Sequence, residues 1–293
     1  MKWLGIVAGG LTVLFIIAYT TLNILTGIEL RRTIQELKAK GRPMTIAEII
    51  PPAVPDEQNA APLIRQAITV FTNQPAEKIF EDIIRTNQYI QHTIFKTNEY
   101  VSTSISLDPS TWTDQQRAIA LQLIHSGEMQ DIMTIFKKAS LCAGYYNHLD
   151  YIQGPTMYLP KYGGYRSLIR MLAVKTIMEA NEGNGTQALD TIHIGLKVNR
   201  LTQQEPVLTS QLVQFACDRL LLNAIECLYP RLDQQVSSES IQLIIQELAL
   251  HDNSKAWERT IDMERIACGS WCYRLLTNVV DAEIVASIWG AIY

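Results

Sequence analysis

The chain is short of charge. Asp, Glu, Lys and Arg make up 18% of its 293 residues, against roughly 25% in average usage. Its formal net charge is −4, which excludes an overall basic attraction for nucleic acid. It holds five cysteines, Cys142, Cys217, Cys227, Cys268 and Cys272. That number excludes a small disulfide scaffold and leaves at least one thiol unpaired within the chain. There is no CxxC, no HExxH, no GxxxxGK[ST] and no GxSxG, so the motif-marked zinc, P-loop and hydrolase sites are missing. No alternating run flanked by hairpin turns is present, which argues against a sheet. Hydrophobic residues, at 47%, exclude a disordered chain.

The longest absence is local. From Trp3 to Ile28 there is no Asp, Glu, Lys, Arg or His. As a helix these residues span about 39 Å at 1.5 Å each, more than the hydrocarbon core of about 30 Å. Leu11, Val13, Leu14, Phe15, Ile16 and Ile17 put apolar groups all round that helix, which suits lipid on every side. Gly5, Gly9 and Gly10 are tolerated there. The run exceeds the 7–15 residues usual for a cleaved export signal, and no A-x-A site follows. The reading is an uncleaved, single-pass anchor in which Trp3–Ile28 meets the membrane. Arg31, Arg32, Lys38, Lys40 and Arg42 follow it, and the positive-inside rule places the bulk of the chain in the cytoplasm. The short basic start Met1-Lys2-Trp3 looks like an export signal and points the other way.

Residues 1–28 are therefore expected to be the anchor, 29–55 a juxtamembrane helix with a Pro-rich collar, and 56–293 a helical domain. Gly41 and Pro43 stop the first helix. Thr45-Ile46-Ala47-Glu48 is a capping box. Asp56 is expected to cap the next helix, and residues 79–90 to form another. Thr113 starts a helix that His125-Ser126-Gly127 kinks or splits. Gly183 ends a later helix, and Thr186 is expected to cap its successor. Pro206 is expected in the first turn of another, and Ser237 or Ser238 begins one more. The last helix runs from about Ser254. The fold class is all-α, an irregular α-α superhelix built from helical hairpins. The apolar run 282–293 lacks the polar cap of an ordinary solenoid end.

Three segments carry a resemblance: GRPMTIAEIIPPAVPDEQNAAP (41–62), the stretch 158–213, and ERTIDMERIACGSW (258–271). They resemble bacterial membrane-anchored proteins of unknown function, with a single N-terminal span, a P-x-x-PDE-x-NAA collar and a helical domain. The resemblance implies no reaction. It implies an exported, tethered domain and relatives that often run longer.

Candidate chemistry is sparse. Gly183-Asn184-Gly185-Thr186-Gln187-Ala188 fits GxGxxA but follows a helix, so it reads as a turn. Glu258, Asp262 and Arg265 share a helix face, and paired carboxylates there could do acid–base work. The simpler reading is a salt-bridged surface. Cys268 and Cys272, four apart, read as thiols acting as small hydrophobes rather than a metal site. Residues 143–165 hold six of the 12 tyrosines. There Tyr145, Tyr146, His148, Asp150 and Tyr158, with Arg166, could form an aromatic platform for a glycan or peptide. The alternative is that they pack the loop and satisfy its backbone. His92, His125, His193 and His251 are dispersed and read as structural. No cofactor or metal is expected. The functional expectation is a tethered scaffold with a protein partner. The alternatives are an envelope enzyme using the helix carboxylates, or a binding module using the tyrosines.

Overall fold

The computed structural model describes residues 2–72, 109–232 and 236–277. The helix expected at 79–90 and the apolar run 282–293 lie outside them. The chain divides into Met1–Ile49 and Ile50–Tyr293.

In the first unit, α1 (Lys2–Ala39) is one unbroken helix, about 57 Å long. It is long and apolar enough to cross a membrane. Three of its hydroxyls bond within the helix: Thr20 donates to the carbonyl of Ile16 at 2.7 Å, Thr21 to Ile17 at 2.8 Å and Thr26 to Leu22 at 2.8 Å. That satisfies them without water. Gly41, at φ +67°, ends the helix. Its N–H donates to Lys38 at 3.0 Å while Arg42 N–H donates to Leu37 at 2.9 Å, a Schellman closure. The short α2 (Ile46–Ile49) follows Thr45, but the expected box is not made: Glu48 N–H donates to the Thr45 carbonyl at 3.2 Å and not to its hydroxyl. Glu48 reaches one residue further back than the motif requires, accepting from Met44 N–H at 2.9 Å and Thr45 Oγ1 at 2.8 Å. The Met44 bond, then the Thr45 bond, holds its carboxyl below the usual range.

The second unit is all-α, with no strand among the described residues. Its first helix, α3 (Ala60–Thr72), is capped by Asn59 and not by the expected Asp56: Ala61 N–H donates to Asn59 Oδ1 at 3.1 Å. Asp56 is instead the first residue of a 3-10 turn, Asp56–Gln58. The capping chemistry is right, but the turn moves it three residues along.

Thr113 and Gln116 form a reciprocal box on α4 (Asp114–Ile124), at 3.2 and 2.9 Å. Ser126 then caps a separate helix, α5 (Gly127–Ala139), so the chain splits there and does not merely kink. Next come α6 (Tyr162–Asn181), α7 (Gly185–Thr202), α8 (Leu208–Leu228), α9 (Ser238–Ala249) and α10 (Ser254–Thr277). Gly183, at φ +81°, closes α6. Asn184 occupies the cap position of α7, and the expected cap Thr186 lies inside the first turn. Pro206 precedes α8 without entering it. The α8 N-terminus is held from a distance, because Leu208 N–H donates to Glu264 Oε1 at 3.0 Å. Ser237 caps α9.

Helix α6 is the hub. Each residue from Met171 to Ala180 is buried, and α3, α7 and α8 pack around it. α5 lies on α3 and α7, α9 on α7, and α10 on α8. At the crossing of α6, α7 and α8 a Cβ on Gly195 would meet Leu172 Cδ2 at 2.8 Å and Leu221 Cδ2 at 3.0 Å. A bare backbone lets the three helices approach there. Gly195→Val should lower stability by about 1–3 kcal/mol, the usual cost of overpacking. Thermal unfolding followed by far-UV circular dichroism reads the loss, and an unchanged melting temperature would contradict this account of the crossing.

Candidate functional site

Between α5 and α6 the chain leaves helical geometry, apart from a 3-10 turn, Tyr151–Thr156. Its backbone groups need partners from elsewhere. The strand-like bridge between Asn59 and Gly144 supplies some. Ala60 N–H donates to Gly144 O at 2.8 Å, and Ala143 and Gly144 N–H both donate to Gln58 O, at 3.1 and 3.2 Å. The Asn59 side chain supplies more. Its Oδ1 accepts from Tyr146 N–H at 2.9 Å and its Nδ2 donates to Tyr146 O at 2.9 Å. One amide thus caps α3 and clamps the loop. Ala60 and Ala61 beside it are fully buried. The PDEQNAA collar is the part of the chain that grips the tyrosine segment. Gly144 is required at the contact, since a Cβ there would lie 2.6 Å from Val54 Cγ2.

A second grip is Glu205, in the turn between α7 and α8 and 2% exposed. It accepts from Tyr162 OH, from Asn147 Nδ2 at 2.8 Å and from the Ser210 hydroxyl. Asn147 also donates to Tyr145 OH at 2.8 Å and accepts from Arg65 at 2.6 Å. Burial pushes the Glu205 carboxyl above its usual range, against the opposing pull of these hydrogen bonds and Arg65. Burial first, and the Glu205 charge second, push the Tyr145 and Tyr162 hydroxyls up as well. At this depth Glu205 ties the loop to the turn between α7 and α8. Gln211 completes the turn, donating to Glu205 O at 2.9 Å and Gln203 O at 3.1 Å.

A further polar seam runs behind it. Tyr165 OH donates to Asn199 Oδ1 at 3.0 Å, and Asn199 Nδ2 donates to Asp218 at 2.7 Å. Asp218 also meets His251 Nδ1 at 3.1 Å. Arg200 pairs with the buried Glu247 at 2.5 Å.

The sequence-predicted residues separate by depth. Tyr145 is buried in the clamp, and Tyr146 is half-buried with its ring 4.5 Å from His148 in an edge-on contact. His148 is exposed at φ +53°. Asp150 caps the 3-10 turn through Ile152 N–H. Tyr158 is 81% exposed, and Arg166 is exposed on α6. On α10, Glu258 is exposed, while Asp262 is buried and accepts from Arg265 at 3.1 Å. The loop meets α10 one turn further on. A cleft of about 110 Å³ is lined there by Tyr151, Met157, Met263 and Glu264, not by Glu258. Glu264 also accepts from Cys268 Sγ at 3.4 Å. Gly154, at φ +53°, allows this contact, for its Cβ would stand 2.9 Å from Trp271 Cβ.

No protein-family model, curated protein or solved structure matches the chain.

Sequence reasoning passed over Asn59, Glu205, Lys175 and Glu179. The last two are charges inside the apolar run MLAVKTIMEA, four apart, and that misfit is a readable signal. Glu205 stands among uncharged residues in LTQQEPVLT, a weaker one.

Two outcomes follow. Asn59→Ala leaves Tyr146 and Ala61 backbone groups without partners, and should cost about 2 kcal/mol or more; a chemical denaturation midpoint equal to the parent's would sink the clamp. Glu205 has a folded-state pKa raised above its ordinary 4.5. Its contribution is therefore fully present below that value and is lost as pH rises through the raised one. Glu205→Gln should flatten this part of the stability profile, measured by denaturation between pH 4 and 8. Parallel profiles for the two proteins would show that Glu205 is not titrating there.

Proposed function

We propose that the chain is a membrane-tethered helical scaffold that holds a protein partner along the outer face of α9. The observation that carries this reading is the composition of that face. Ile241 is 39% exposed and Ile245, one turn on, 54%, on one flank of that face; Leu243, at 42%, and, just past the helix, Leu250, at 58%, lie on the other flank. An outer helix of a water-facing domain ordinarily carries polar groups there, and clustered exposed apolar groups mark interaction surfaces. α1 supplies the tether, a single pass through the bilayer, and raises the local concentration of whatever the domain holds. The resemblance of residues 41–62 to exported, tethered proteins supports an extracytoplasmic domain, while the basic flank from Arg31 to Arg42 weighs toward the cytoplasm.

A second reading rests on the tyrosine segment. Tyr158 is 81% exposed, and the Tyr146–His148 ring pair sits on the same loop. Such rings offer contact area and a polar tip to a glycan or peptide.

A photo-crosslinking residue at Gln242, exposed on α9, of the full chain in its own membrane tests the scaffold reading. It should give one protein adduct that the same probe at Lys137, on α5, does not give. Ile241→Lys with Ile245→Lys should abolish the adduct and leave the melting temperature unchanged. Identical adducts from both positions, or an adduct that survives the double substitution, would refute the α9 site.

A further inference from the structure

A cavity of about 260 Å³ opens between α5 and α7, with α6 at its floor. Ile124, Met129, Met133 and Ile194 line its walls. Of these Ile124 and Met129 are buried, at 2% and 3% exposure. Gln130, Gln187 and Asp190 form an exposed rim. Its floor carries a cation: Lys175 lines the cavity and is 7% exposed.

The bonding at the floor is incomplete on one side only. Lys175 Nζ donates to Glu179 Oε1 at 2.6 Å. The other Glu179 oxygen accepts from Thr191 Oγ1 at 2.8 Å. Both carboxylate oxygens are therefore served. An ammonium has three donors, and this one has no second acceptor among the described residues. Buried donors left without acceptors are costly. An apolar-walled cavity beside two spare N–H groups suits a molecule with an acceptor oxygen and an aliphatic body.

Charge decides which acceptor. Lys175 contributes +1, while Glu179 and Asp190 contribute −1 each, so the cavity carries a net −1 before anything enters. A carboxylate or phosphate would add a second negative charge beside Asp190 and Glu179. A neutral oxygen adds none. Two methionines in the walls give an adaptable lining.

We propose that this cavity binds a small neutral amphiphile, an aliphatic ketone, amide or alcohol whose oxygen accepts from Lys175. Three molecules of one branched shape test it: 4-methyl-2-pentanone, 3-methylbutanoate and 2-methylpentane. They present a neutral acceptor, an anionic acceptor and no acceptor. The probe is the methyl NMR signal of Met129 and Met133 in the full chain, methyl-labelled at methionine and held in detergent. The ketone should shift both signals saturably, with a Kd at least tenfold below those of the other two. The charge-balanced pair Lys175→Met with Glu179→Gln removes the donors and keeps an acceptor for Thr191. It should lose the tenfold preference for ketone over alkane. Met133→Trp, which fills the cavity from one wall, should abolish saturable binding of all three. No saturable shift in the parent protein, tighter binding of 3-methylbutanoate, or a preference that survives the paired substitution would each overturn the proposal.

Discussion

The Asn59 amide does work that no helix can do for itself. An all-α domain satisfies its backbone locally, one turn at a time, so an irregular segment inserted between two helices arrives with unpaired N–H and C=O groups. Asn59 supplies an acceptor to Ala61 and Tyr146 and a donor to the Tyr146 carbonyl. The start of α3 and the start of the loop are thereby set by one side chain. Changing the amide to a carboxylate would remove the donor to the Tyr146 carbonyl and break one of the three bonds. Gly144 and the buried Ala60 and Ala61 follow as consequences, because the two backbones must approach closely for the amide to reach. Where the tyrosines point then depends on this grip and on Glu205, and not on any helical preference of their own.

Polar groups inside the helical stack do a different kind of work. Apolar packing between α6, α7 and α8 is non-directional, and several rotations of a helix about its axis would bury similar area. Tyr165–Asn199–Asp218 and Arg200–Glu247 are directional. Removing one partner strands the other without water, which costs more than the intact bond contributes. Such groups select one rotation among several. The buried Lys175–Glu179 pair belongs to the same class, with the difference that its cation is left partly unsatisfied beside a cavity.

What could be read from the sequence follows the range of each interaction. Thr113, Ser126, Ser237, Gly41 and Gly183 mark helix ends by bonds that span three to five residues, and these ends stand where the local chemistry puts them. The class of fold follows from them and from the apolar periodicity. Asp56 carried a similar local signal, yet a 3-10 turn displaced the cap to Asn59. The clamp itself was not legible. Asn59 and Tyr146 are 87 residues apart, and Asn147 and Glu205 are 58 apart. Nothing in either neighbourhood announces the other. On α10 the spacing of Glu258, Asp262 and Arg265 correctly describes one helix face. How deep each lies is a tertiary property: Asp262 is covered and Glu258 is not, and the carboxylate that meets the loop, Glu264, lies off that stripe.

The exposed apolar face of α9 is imposed by the polar seam. A helix free to turn about its axis would bring Ile241 and Ile245, one turn apart, inward. α9 is not free to do so. Its inner side presents Glu247 to Arg200, and His251, just past the helix, meets Asp218. Turning these isoleucines inward would carry the buried Ile244 outward. It would also separate Glu247 from Arg200 and leave Asp218 with one donor fewer in a partly buried site. Two directional contacts on one side of a short helix therefore outweigh the apolar area on the other. The domain buries Ile244 and packs Leu248 against its core, and it keeps Ile241 and Ile245 in contact with solvent.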